Sequence, residues 1–103
     1  MAGAPYDQTD YYPLRTFAFE ALAVAGTSIG FTAATLIGAR LATAAVESAQ
    51  IRYRTDGTDP TATVGVLANP GDVIIIYGNV DISAFRAIRT GGASATLSTE
   101  FAK

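Results

Sequence analysis

The amino-acid sequence predicts an all-β protein, a small antiparallel β-sandwich with about seven or eight strands. Hydrophobic residues alternate with polar ones over short segments, which is the period of a half-buried strand. Turn-forming residues interrupt these segments at near-regular intervals. The apolar residues are mainly Ala, Val and Ile, and the chain has 10 Gly. Small and β-branched side chains of this kind suit thin sheets better than helical bundles.

The chain is long enough for one hydrophobic core and too short for a second. It has 103 residues, of which 50% are hydrophobic and 16% charged, so it is too apolar for a disordered protein. We divide it into an N-terminal extended arm, residues 1–13, and a β-sandwich domain, residues 14–103. The arm carries Tyr6, Tyr11 and Tyr12 among prolines and aspartates. A floppy tail is the alternative, but amphipathic tyrosines often anchor interfaces, so we favour an interaction arm.

The first part of the domain, residues 14–31, is predicted to form two strands. Phe17 and Phe19 alternate with smaller or polar residues, which indicates a half-buried strand. Residues 25–28 then read as a turn, and residues 28–32 resume the alternation.

Residues 32–50 fit either a helix or a strand. Their alanine content favours a helix, whereas Gly38 interrupts the helical pattern and the residues after it also alternate. We expect a short helical turn at residues 33–37, followed by a strand at about residues 40–47.

Residues 50–55 give the clearest strand pattern. Ile51 and Tyr53 face one way, and Arg52 and Arg54 face the other.

Two strong turn signals follow this strand. Residues 56–60 (DGTDP) combine three turn-forming residue types, and residues 69–72 (NPGD) place a glycine where a turn needs positive φ. Residues 73–77 are continuously apolar, which is typical of a strand buried on both faces. We expect Gly78 and Asn79 to end it.

The last segment is predicted to be a hairpin. Residues 82–90 and 93–101 read as strands, and Gly91-Gly92 between them reads as a tight turn.

The residue types present exclude most catalytic chemistry. The chain contains no His and no Cys, and its single Lys is Lys103, so a nucleophile would lack the usual activating base. Six of the nine acidic residues lie in predicted turns or in the N-terminal arm, where they are expected to bond to the nearby backbone. We therefore predict no enzyme, no catalytic residue, no cofactor and no metal. Calcium on Asp56, Asp59 and Asp72 is the alternative.

Four arginines are the candidate binding residues of the domain. Arg52 and Arg54 lie on one predicted strand, and Arg86 and Arg89 on another, with both pairs directed outward. A solvated face explains them equally well, but arginine is enriched in interfaces, so we treat them as a surface for an acidic partner. Internal neutralisation by glutamates would remove the reason for this hypothesis. The glutamates concerned are Glu20, Glu47 and Glu100.

Charge and hydropathy exclude other partners. The net charge is −2 and the basic residues are scattered, whereas a nucleic-acid-binding protein needs a basic stripe. Residues 21–39 carry no charge, but Ala, Gly, Thr and Ser dominate them, so we predict no transmembrane segment. Acids and tyrosines stand where a signal peptide would have a positive charge and an apolar run.

Three segments within residues 47–101 are informative: QIRYRTDGTDPT, NPGDVI and FRAIRTGGASATLSTEF. In these segments the chain resembles small accessory virion proteins of tailed bacteriophages. Residues 19–22 and 30–34 are similar to the opening of such proteins, so the resemblance covers most of the chain after residue 14. The resemblance implies a capsid decoration (cement) protein on the outer head surface, with a jelly-roll-like β-sandwich. It also implies a homo-oligomer, with a trimer favoured, that binds the major capsid protein and clamps neighbouring capsomers through terminal arms.

Two alternatives to head decoration stay open. One is a carbohydrate- or receptor-binding module on a fibre or tail, which would need Tyr53 or Tyr77 to point outward as part of an aromatic platform. The other is a tail or connector component of the same virion.

Overall fold

The structure is a computed structural model that describes residues 14–103. This part of the chain forms seven strands, one short α-helix and one 3₁₀ turn. In chain order the strands are β1 (Thr16–Val24), β2 (Leu41–Glu47), β3 (Ile51–Arg54), β4 (Val66–Ala68), β5 (Val73–Tyr77), β6 (Arg86–Arg89) and β7 (Ala95–Ala102). The 3₁₀ turn is Ala33–Leu36, and the helix α1 is Asn79–Ala84.

The strands form two antiparallel sheets. The large sheet has the order β1-β7-β2-β5, and the small sheet has the order β4-β3-β6. The prediction of a mainly β protein with antiparallel sheets is confirmed. The predicted arm, residues 1–13, lies outside the described residues.

One hydrophobic core joins the two sheets. The large sheet contributes buried residues such as Leu97 and Phe101, and the small sheet contributes Ile51. The rings of Phe31 and Phe85 stack at a centroid distance of 4.7 Å, and Phe101 meets Phe31 edge-on at 5.1 Å. Stacked and edge-to-face pairs at these distances add to the stabilisation that burial alone gives.

The first predicted strand is confirmed as β1, but its phenylalanines face the solvent. Leu22 and Val24 are buried, whereas 60% of Phe19 is exposed. Glu20, on the inward side, accepts hydrogen bonds from the Thr32 backbone N–H at 3.1 Å and from its hydroxyl at 2.9 Å. This carboxylate therefore fixes the residue that precedes the 3₁₀ turn.

The second predicted strand, residues 28–32, is wrong. Ile29 makes a single antiparallel bridge to Ala87, and no strand extends from it. At Gly30 the backbone passes so close to Phe85 that an added Cβ would lie 2.7 Å from its carbonyl oxygen. The chain here packs against the core instead of joining a ladder. The helical turn and the strand expected after it are both confirmed, as the 3₁₀ turn and β2.

The strand at residues 73–77 is confirmed as β5, but its burial on both faces is wrong. Ile74 and Ile76 are buried, whereas Val73, Ile75 and Tyr77 are 56%, 53% and 73% exposed. Among residues 14–103, β5 pairs with β2 alone and forms an edge of the large sheet.

The turn before β5 has the predicted form. The N–H of Asp72 donates to the carbonyl of Asn69 at 2.9 Å, and Gly71 has a φ of +95°.

The predicted hairpin at residues 82–101 is wrong in two respects. Residues 79–84 form α1, which buries Ile82 completely. The Asn79 side-chain amide anchors this helix by donating to the carbonyls of Leu36 and Ala39, each at 2.9 Å. In addition, β6 pairs with β3 while β7 pairs with β1 and β2, so Gly91-Gly92 connects two different sheets. Both edges of β7 are occupied, so it has none left for β6.

Candidate interaction surfaces

The small sheet brings three of the four predicted arginines onto one face. Arg54 lies directly opposite Arg86 across the β3–β6 ladder. Arg52 lies two residues before Arg54 on β3, so its side chain points to the same face of the sheet. Arg89 lies opposite Ile51, whose side chain is in the core, so it belongs to the other face. Its guanidinium donates to the Ser94 hydroxyl at 3.1 Å.

Two of these arginines hold the loop between β3 and β4. Arg52 donates to the carbonyl of Gly65 at 2.9 Å and to that of Ala62 at 3.2 Å. Arg54 pairs with Asp56, the only ion pair within residues 14–103. The planar guanidinium suits such forked contacts, which a lysine could not reproduce. Much of the arginine face is thus bound to its own loop.

The glutamates do not neutralise the arginines. Glu20 bonds to Thr32, and Glu47 accepts a hydrogen bond from Ser98 on β7. The acid that pairs with Arg54 is Asp56, which sequence reasoning placed in a turn and considered as a calcium ligand. Hydrogen bonds from Arg54 and from the Thr58 N–H hold the pKa of Asp56 below its ordinary value, and Asp56 raises the pKa of Arg54.

The carboxylates considered for calcium each have a separate local partner. Asp59 accepts a hydrogen bond from the Ser28 hydroxyl at 3.0 Å, and Asp72 accepts one from the Asn69 N–H at 2.7 Å. In the described part of the chain, no three acidic side chains are grouped closely enough to hold a metal ion.

One exposed apolar surface within residues 14–103 was missed by sequence reasoning. We call it the outer face: the side of the large sheet that points away from the core. From β1 to β5, one row across it is Phe19, Glu100, Thr43 and Ile75, and the next is Ala21, Ser98, Ala45 and Val73. Large apolar side chains therefore stand on both edge strands, and between them lie small or hydroxyl-bearing side chains and the carboxylate of Glu100. The signal for this surface was present in the sequence, in the unbroken apolar run of β5.

The two tyrosines of the carbohydrate hypothesis point in different directions. Tyr53 turns inward, where its ring lies 5.6 Å from that of Phe85. Tyr77 is exposed on the outer face. Phe19 stands three strands away on β1, roughly 14 Å across the sheet, so it cannot complete a platform with Tyr77.

Backbone hydrogen bonds link Arg15 and Arg40 to Lys103 and Ala102. The Arg15 N–H donates to the Lys103 carbonyl at 3.1 Å, and the Arg40 N–H donates to that of Ala102 at 2.8 Å. The Lys103 ammonium lies 4.4 Å from the ring centre of Phe17, a cation–π contact. Tyr6, Tyr11 and Tyr12, the predicted interface residues of the arm, lie outside the described residues.

A surface cavity of about 290 Å³ opens between the 3₁₀ turn and α1. Phe31, Leu36 and Ile37 line it, and Arg86 stands beside them. It brings together no acid and base that could act on a substrate.

Comparison with known proteins gave no match: no protein-family model, no curated protein and no solved structure is similar to the chain. Neither helical segment of residues 14–103 is long and apolar enough to cross a membrane.

Proposed function

We propose that this chain is a structural virion protein of a tailed bacteriophage, a capsid decoration (cement) protein. It binds the major capsid protein on the outer surface of the head and bridges neighbouring capsomers. The observation that carries the proposal is the outer face, whose apolar side chains have no cover within residues 14–103. The sequence resemblance supplies the kind of partner.

The outer face suits adhesion to a protein surface better than solvation. Phe19, Val73, Ile75 and Tyr77 are each more than half exposed, so a partner that covers them gains roughly 1 kcal/mol per side chain. Such a gain is small against the cost of association. Attachment therefore depends on several weak contacts made at once by an oligomer, which raises avidity without a tight single site.

In this proposal the two sheets are the layers of a jelly-roll-like sandwich, and residues 1–13 form an extended clamp. The resemblance favours a trimer as the oligomer that spans the joints between capsomers. Packaged DNA strains these joints, and additional interface area holds them together.

Exchange of one outer-face residue tests the proposal. Capsids assembled without this chain should bind the purified protein, and imaging should show ordered density at local symmetry axes. Phe19→Lys should weaken binding at least tenfold, because it places a charge in the apolar contact. Val80→Lys is the matched control, since Val80 is 81% exposed but lies on α1, and it should bind like the wild type.

Three results would contradict the proposal or part of it. Absence of binding to capsids would overturn decoration. Binding only at the tail vertex would support the connector alternative. Equal binding by the two lysine variants would show that the outer face is not the contact.

Removal of residues 1–13 tests the clamp separately. The truncated chain should keep its melting temperature, because residues 14–103 supply a hydrophobic core that joins both sheets, and should bind capsids more weakly. Unfolding of the truncated chain, or unchanged attachment, would contradict the clamp.

A further inference from the structure

The free edge of β5 differs from every other sheet edge within residues 14–103. β1 has a bulge between Thr16 and Ala18 and carries the inward-facing charge of Glu20. β6 is bridged by Ile29, and β4 is only three residues long. These features protect sheet edges from pairing with other chains. β5 has five consecutive apolar residues, no charge, no proline and no irregularity in its register with β2.

The hydrogen bonds that frame β5 show which of its backbone groups face the free edge. The Gly78 N–H donates to the Arg40 carbonyl at 2.8 Å, and the Val46 N–H donates to that of Asp72 at 2.9 Å. Hydrogen-bonded pairs alternate along an antiparallel ladder, so Ile74 and Ile76 bond to β2. The N–H and C=O groups of the intervening residues therefore point away from β2. They belong to Val73, Ile75 and Tyr77.

The helix that follows β5 leaves this edge open. Asn79, the first residue of α1, is tied to the carbonyls of Leu36 and Ala39, which precede β2. α1 is thus held on the β2 side of β5 and does not fold over its free edge.

We propose that β5 pairs with β5 of a second copy of this chain, antiparallel and about a two-fold axis at Ile75. Ile75 then lies opposite Ile75 of the second copy, and Val73 lies opposite Tyr77. The outward-pointing groups form six N–H···O bonds, two for each of these three residue pairs. Such an edge is self-complementary, as a two-fold contact requires.

The side chains agree with this register on both faces. On the outer face it makes one Ile–Ile pair and two Val–Tyr pairs, and aromatic with β-branched is a favourable cross-strand combination. On the inner side Ile74 meets Ile76 of the second copy. Asp72 lies opposite Gly78, so no like charges are brought together.

The result is one continuous eight-stranded sheet whose two outer faces adjoin. Five residues from each strand bury less surface than the roughly 1,200–2,000 Å² that stable interfaces bury. We therefore expect the pairing to depend on protein concentration. The inference does not require a virion role, because it follows from the edge alone. If the proposed trimer also forms, two-fold pairing of trimers through β5 gives a hexamer.

Single cysteines test the two-fold register, since the chain has no cysteine of its own. In Ile75→Cys the two Cα atoms should lie about 5.5 Å apart, within the range that a disulfide spans. In the control Val73→Cys the same atoms are offset by four residues, roughly 13 Å along the strand, and should not cross-link. Mild oxidation should therefore give a covalent dimer only from Ile75→Cys. Equal cross-linking of the two variants, or none from Ile75→Cys, would overturn the pairing.

The mass in solution is an independent measurement. With rising concentration, the 10.6 kDa chain should form a dimer or another even-numbered oligomer, and removal of residues 1–13 should not prevent this. Ile75→Pro removes an N–H that does not bond to β2. This variant should have half the mass of the wild-type oligomer, with the same circular dichroism spectrum. A monomer at every concentration, an odd-numbered oligomer, or loss of pairing on removal of residues 1–13 would refute the inference. None of these results bears on whether the outer face binds capsids.

Discussion

Substitution of two phenylalanines distinguishes a residue that stabilises the fold from one that we expect to contact a partner. Phe85 is 0% exposed and its ring stacks on Phe31, whereas Phe19 is 60% exposed on the outer face. Replacement of a buried phenylalanine by alanine removes apolar burial and leaves a cavity, at a cost of about 3–5 kcal/mol. For Phe19→Ala less than half of the side chain is buried to begin with, so we expect about 1 kcal/mol or less.

Urea denaturation followed by circular dichroism measures both variants. A domain of this size is stabilised by roughly 5–15 kcal/mol, so Phe85→Ala should remain folded with a clearly lower midpoint and an unchanged slope. Its melting temperature should fall by at least about 12 °C. If Phe85→Ala proves too unstable, Phe85→Leu should give a smaller loss of about 1–2 kcal/mol. Equal midpoint shifts for Phe85→Ala and Phe19→Ala would refute the assignment of core and outer face.

Two further predictions concern backbone packing and pH. Gly30→Ala should cost about 1–3 kcal/mol in unfolding experiments, because its Cβ would lie 2.7 Å from the Phe85 carbonyl oxygen, whereas Gly92→Ala meets nothing within 4 Å and should stay within about 0.5 kcal/mol. Because the pKa of Asp56 is lowered in the folded protein, its pairing with Arg54 stabilises the fold at pH values above the ordinary pKa of 3.8. This stabilisation is lost as the pH falls through the pKa that Asp56 has in the folded protein. Asp56→Asn should therefore destabilise the fold at neutral pH, and the difference from the wild type should shrink as the pH falls below 3.8. A difference that does not change with pH would contradict the pairing.

Patterns within single segments predicted most of the strands. The alternation at residues 50–55 places Ile51 in the core and Arg52 on the opposite face, as expected, because the side-chain period of a strand is fixed by its geometry. The turn at residues 69–72 was predictable for the same kind of reason, since Gly71 adopts the positive φ that this turn needs.

The choice of partner strand could not be read from local pattern. Gly91-Gly92 has the composition of a hairpin turn, yet β7 pairs with β1 and β2 because residues far away in sequence offer it two complementary edges. Likewise, Ile82 is apolar at a spacing that fits a strand or one helical turn, and it lies in α1 with its side chain buried.

The apolar run of β5 correctly predicted a strand but did not predict that one of its faces is exposed. A continuous apolar run indicates a strand that is covered on two sides, and within residues 14–103 only one side of β5 is covered. The arginines show the opposite difficulty. Their side-chain type suggested a partner, but Arg52 and Arg54 mainly bind the adjoining loop.

The central position of β7 in the large sheet affects how the protein folds during translation. Until residues 95–102 leave the ribosome, β1 has no neighbour in the large sheet and β2 has only β5. The small sheet needs nothing beyond residue 89 and can form earlier. A nascent chain that stalls between these two points exposes unpaired apolar strands, which is the condition under which such segments aggregate. Synthesis without pauses between residue 89 and residue 102 should therefore increase the soluble yield of this protein.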